Sequence, residues 1–73
     1  MVTMALRMAW LRQVVNRWNR QYPDQFVPWE IAEECILWFE VCKGAGFGTD
    51  AAAERHLAFA SKIPDALLGK LFP

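Results

Sequence analysis

The residues able to do chemistry in this chain are few, and their spacing argues against most reactions. His56 is the single histidine among 73 residues, with no evident serine or cysteine nucleophile beside it in sequence. Acid–base or nucleophilic catalysis needs such groups held together in one pocket. A zinc site needs four ligands at recognisable spacing, and Cys35, Cys42 and His56 do not supply them. Glu30, Glu33, Glu34 and Glu40 read as the solvated face of a helix, not as an acid–base pair. The run Gly44-Ala45-Gly46-Phe47-Gly48 holds three of the four glycines. Such a loop ahead of a helix can cradle phosphate. This one lacks the lysine and hydroxyl of a P-loop and follows a helix, so it reads as a tight turn with Phe47 tucked into the core. The sequence predicts no catalytic activity, no metal and no cofactor.

Recognition chemistry is better represented. Ten residues are Phe, Trp or Tyr, four of them Trp, and Trp is enriched where interfaces concentrate their energy. Residues 1–22 carry Arg7, Arg12, Arg17 and Arg20 and no acid. Residues 23–43 carry Asp24, Glu30, Glu33, Glu34 and Glu40 against Lys43. The formal net charge is zero, so the two segments are expected to neutralise each other within one fold. Arginines interleaved with Trp10, Trp18 and Tyr22 would suit phosphate pairing and base stacking. However, Arg7, Arg12 and Arg17 step by five residues, so their side chains rotate by about 140° each time and encircle a helix. Direct nucleic-acid contact is therefore secondary to protein contact.

Four segments must position these residues, and all read as helical. In residues 4–22, Met4, Met8, Leu11, Val15, Trp18 and Tyr22 alternate spacings of four and three. They define the seam of an amphipathic helix, with Thr3 as its N-cap. A second ridge, Leu6, Trp10 and Val14 edged by Arg17, lies about 120° from that seam on a helical wheel. A single buried face leaves it unused. Leu6, Trp10, Val14, Arg17 and Arg7 are thus the candidate partner-binding residues, in the manner of a helix laid in a groove. Trp10 is expected to be exposed and Trp38 buried.

Pro23 breaks the first helix, and Pro28 followed by acids opens the next, since acids complement the helix dipole. That central helix should run over 28–43 and stop at Gly44. Ile31, Cys35, Trp38 and Cys42 form its main face, and apolar residues surround it almost completely. Residues 49–72 hold the C-terminal helices. The longer begins at a Thr49 or Asp50 cap and turns Ala53, Leu57, Ala60 and Ile63 inward. Pro64 opens the shorter one, whose Leu67, Leu68, Leu71 and Phe72 close the core. The fold expected is an all-α single domain over residues 1–73, with three main helices plus a short C-terminal helix.

Cys35 and Cys42 sit seven apart, about 10.5 Å along one helix, too far for a disulfide, which wants Cα atoms within about 7 Å. Two unpaired thiols among apolar neighbours suit a reducing cytoplasm. No apolar run reaches the roughly 18 residues of a membrane span.

From MVTMALRMAWLRQVVNRW through VPWEIAEECILWFEVC to IPDALLGKLF, the chain resembles the small transcription regulators of lytic Xanthomonas phages that bind host RNA polymerase. The resemblance is one of whole-chain length and character, and not of a motif. It implies a helical, non-enzymatic monomer in the host bacterial cytoplasm, docked on the polymerase. It further implies inhibition of promoter-dependent initiation and promotion of antitermination. Other short phage inhibitors of host machinery, anti-CRISPR proteins among them, share this size and helical composition, and a basic helical nucleic-acid binder is the remaining alternative.

Overall fold

The computed structural model describes residues 3–45 and 50–73. Within them the chain is all-α, as the periodicities predict: α1 (Met4–Gln21), a 3-10 turn (Pro23–Gln25), α2 (Trp29–Ala45), α3 (Asp50–Ala60) and α4 (Asp65–Leu71). Phe47 and the Thr49 cap of the expected turn lie outside the described residues, and Asp50, the other cap candidate, is the first residue of α3.

Local chemistry sets the ends of the helices. Thr3 caps α1, its side-chain oxygen accepting from the Leu6 amide at 3.2 Å. The Pro28 carbonyl accepts from Ile31 at 3.1 Å and Ala32 at 3.4 Å, so this proline flanks α2 and Trp29 is the first helical residue. The far end of α2 passes through Gly44 instead of stopping there. A glycine inside a helix costs about 1 kcal/mol relative to alanine, which lowers stability without forcing a break. Pro64 plays the flanking role for α4, accepting from Leu67 at 2.9 Å and Leu68 at 3.0 Å.

Leu11, Val15 and Trp18 of α1 are buried against Ala32, Cys35 and Ile36 of α2, with Ile63, Leu67 and Leu71 completing the core. The α1 seam is therefore the expected one at its centre, and it opens at its ends, where Met4 and Tyr22 are exposed. The α2 face is turned relative to expectation. Ala32 and Ile36 go inward with Cys35, while Ile31, Trp38 and Cys42 are half-buried. Leu37 and Val41 are exposed. The molecule measures 37 × 29 × 19 Å, and a helix with its side chains is about 10–12 Å across. Two layers can cover a helix on one or two sides but cannot enclose it.

A similar correction applies to α3, which packs lengthwise on α2 more extensively than any other helix pair meets. Ala52 is buried, whereas Leu57 is 65% exposed. His56 takes the inward place, its ring 5.4 Å from Phe39 and 5.5 Å from Phe72. Leu57 lies about 140° round the helix from Ala52, so choosing the small alanine for the close approach turns the leucine outward.

The link from α1 to α2 is held by side chains acting as backbone partners. Asn19 donates from its amide to the Val27 carbonyl at 2.8 Å and accepts from the Val27 N–H at 2.8 Å. The Trp18 indole N–H donates to the Gln25 carbonyl at 2.9 Å. These bonds seat Val27 in the core and aim α2 back across α1.

Candidate protein-docking site

The second ridge of α1 lies where a single buried seam leaves it. Leu6 is 62% exposed and Trp10 61%. Val14 is partly buried, leaning on the core, and Arg17 is exposed. Beside the ridge, α1 and the end of α4 bound a groove of about 290 Å³, lined by Trp10, Val14, Arg17, Trp18, Gln21 and Lys70. Three of the five sequence-predicted residues, Trp10, Val14 and Arg17, thus share one concavity. Leu6 continues their line one turn earlier along α1, outside the groove lining.

Two contributors escaped the sequence reading. Gln21 sits one turn after Arg17, and its polar side chain carries no distinguishing pattern. Lys70 comes from α4, with its ammonium 5.9 Å from the centre of the Trp18 ring. Only the packing of α4 on α1 brings it there, and no periodicity within α1 signals it.

The fifth predicted residue, Arg7, is engaged within the fold. Its guanidinium pairs with the Glu40 carboxylate of α2. The other arginines are dispersed as their five-residue steps imply. Arg12 lies 5.7 Å over the Trp29 ring, and Arg20 borders a separate, wider depression of about 570 Å³ with Phe26, Trp29 and Glu30. That depression is larger than the ridge groove but carries both charge signs, and its Asn19 is already committed to the Val27 backbone. No basic stripe forms among the described residues.

Trp38, expected to be buried, is half-buried. Its indole N–H donates to Glu34 at 3.0 Å, and Arg55 lies 5.0 Å over its ring. The fully packed tryptophan is Trp18, 5% exposed.

One pair outside the groove brings a thiol beside an imidazole. The Cys35 sulfur lies 3.6 Å from His56 Nδ1. That nitrogen is 2.9 Å from the Cys35 carbonyl, which only accepts, so Nδ1 carries a proton and donates. A nitrogen so engaged cannot take the proton of the thiol. Burial pushes the Cys35 thiol from 9.0 up to about 11, the opposite of what activates a nucleophile. Among the described residues, no group of three or more His, Cys, Asp or Glu is placed to hold a metal ion. No helix there is long and apolar enough to cross a membrane.

Compared with models of protein families, with curated proteins and with solved structures, the chain finds no match.

Proposed function

We propose that this chain is a non-enzymatic regulator that acts by docking its α1 ridge on a host protein complex. The observation that carries this reading is the exposure of Trp10, 61%, on a groove that also holds Val14 and Arg17. An aromatic anchor, an aliphatic flank and an arginine around a concavity form the residue mix of an interface centre. The dispersal of the four arginines of α1 supports a protein partner over a nucleic acid, which favours cations gathered along one track. The whole-chain resemblance makes bacterial RNA polymerase the partner, met by a monomer in the host cytoplasm. Binding there inhibits promoter-dependent initiation and promotes antitermination.

Purified bacterial RNA polymerase, immobilised and titrated with the wild-type protein and with Trp10→Ala, tests this directly. Promoter-dependent transcription and terminator read-through should both change with the wild-type protein. Trp10→Ala should need at least about 30-fold more protein for the same effect, the equivalent of about 2 kcal/mol. Polymerase that ignores the wild-type protein would remove the polymerase from this reading.

A further inference from the structure

We infer that the groove between α1 and α4 takes an acidic, apolar-faced peptide segment of the partner, a bulky side chain against Trp10 and Val14 and a carboxylate facing Arg17 and Lys70. This inference rests on the protein-docking reading and gives it a partner chemistry.

Charge is the first support. The two charged residues lining the groove, Arg17 and Lys70, are both cations, and no carboxylate lines it. Neither has an ion-pair partner among the described residues, where the one such pair joins Arg7 to Glu40. Lys70 is held only loosely, by its 5.9 Å approach to the face of Trp18. In a chain of zero net charge, two uncompensated cations on one concave surface are a local excess. Concave apolar walls strengthen the field of such charges. Arg17 adds a planar fork that suits a carboxylate through two parallel N–H donors.

Size and polarity narrow the occupant further. A volume of about 290 Å³ sits at the lower edge of small-molecule sites, which run to roughly 300–1,000 Å³. It suits one or two anchoring side chains of a longer segment that continues along Leu6. Trp10, Val14 and Trp18 give it an apolar wall. A nucleic acid would want cations that follow its backbone, and the remaining arginines point elsewhere.

The probe is a fluorescein-labelled, helix-forming peptide with a phenylalanine and two leucines on one face and glutamates flanking them. Its comparison peptides carry glutamine or lysine at the flanking positions, and a thymidine oligonucleotide is the polyanion control. Fluorescence anisotropy gives affinity, and the indole N–H resonances of Trp10 and Trp18 report where binding occurs. The glutamate peptide should shift both indoles and bind about tenfold more tightly than the glutamine peptide. Joint Arg17→Met and Lys70→Met replacement should erase that advantage while leaving the melting temperature in place. Joint Arg17→Glu and Lys70→Glu replacement should transfer the preference to the lysine peptide.

Equal binding of the glutamate and glutamine peptides would overturn the inference. So would no binding of the glutamate peptide at about 1 mM, or displacement of the peptide by the oligonucleotide. Polymerase titration of the same variants separates the two levels. Protein carrying Arg17→Met and Lys70→Met that binds polymerase as well as wild type sinks the groove inference and leaves the docking reading intact. Wild-type protein that never binds polymerase fails the polymerase reading whatever the peptides do.

Discussion

Trp10 and Trp18 stand eight residues apart on one helix and have opposite fates. Trp18 is 5% exposed, with its N–H on the Gln25 carbonyl and Tyr22 at 4.4 Å from its ring. Trp10 is 61% exposed, and its indole N–H makes no hydrogen bond among the described residues. Both line the same groove. Eight residues are about 80° of rotation, enough to carry a side chain from the packing seam to the free ridge. Residue type thus says little here, and angular position on α1 decides which tryptophan is packed into the core and which stays exposed.

The strongest way to break this contrast is to truncate each indole in turn. Trp18→Ala should cost about 3–5 kcal/mol, the range for losing a buried aromatic, and in so small a domain that can abolish folding at ambient temperature. Chemical denaturation followed by circular dichroism measures it. Trp10→Ala should leave the denaturation midpoint nearly unchanged while weakening partner binding by about 2 kcal/mol. Comparable losses of stability in the two variants would erase the distinction between seam and ridge.

Asn19 sharpens the comparison, because it supports the Trp18 side of the helix and not the Trp10 side. Its amide makes two 2.8 Å bonds to the backbone of Val27, a residue only 2% exposed. Asn19→Ala leaves a buried donor and acceptor without partners, so a loss of about 1–3 kcal/mol is expected. Asn19→Asp keeps the acceptor and loses the donor, and should fall between the two. Neither should alter peptide affinity at the ridge once the protein is folded, which anisotropy at low temperature would show.

How much of this was legible in the sequence follows from what each signal depends on. The α1 seam was legible because the 3.6-residue period is a property of one segment and Leu11, Val15 and Trp18 obey it. The existence of an unused ridge followed from the same wheel. The facing of α2 and α3 was not legible in the same way. α2 is apolar on several sides, so composition cannot say that Ala32 and Ile36 go inward while Leu37 goes out. In α3 hydrophobicity favours Leu57 as the inward residue, but close packing prefers Ala52 and accommodates His56 between Phe39 and Phe72. Lys70 reaches the groove only through tertiary packing, as does the Arg7–Glu40 pair.

Cys35 offers a smaller, pH-dependent test of the packed side. Burial raises its thiol from 9.0 to about 11, so the native state prefers the protonated form more than the unfolded chain does. That preference contributes fully below about pH 9 and is lost as pH rises through about 11. Wild-type stability should therefore decline over that window. Cys35→Ala should lower stability at neutral pH by about 1–2 kcal/mol through lost packing, but it should flatten the alkaline decline. Half-buried Cys42 should react with a thiol reagent at pH 8 well before Cys35 does. A chelator should leave the fold unchanged, and unfolding by it would reveal a metal site.

The smallest expected effect belongs to Arg7, and it decides on which side of the comparison that residue falls. By sequence it stands next to Leu6 on the ridge, yet its guanidinium is turned to Glu40 on α2. The two side chains are 32% and 28% exposed, so water and salt screen the pair. Such pairs contribute about 0–1 kcal/mol. Arg7→Met should accordingly change stability by less than about 1 kcal/mol and peptide affinity by less than about twofold, unlike Arg17→Met. Glu40→Gln is the informative companion, because it frees the guanidinium without removing it. If Arg7 is a packing residue, Glu40→Gln and Arg7→Met should each cost the same small amount and their combination no more. If instead it serves the ridge, Glu40→Gln should strengthen binding of the glutamate peptide, most visibly at low salt, where exposed charges act furthest. A gain in that variant that vanishes when Arg7→Met is added would return Arg7 to the docking surface.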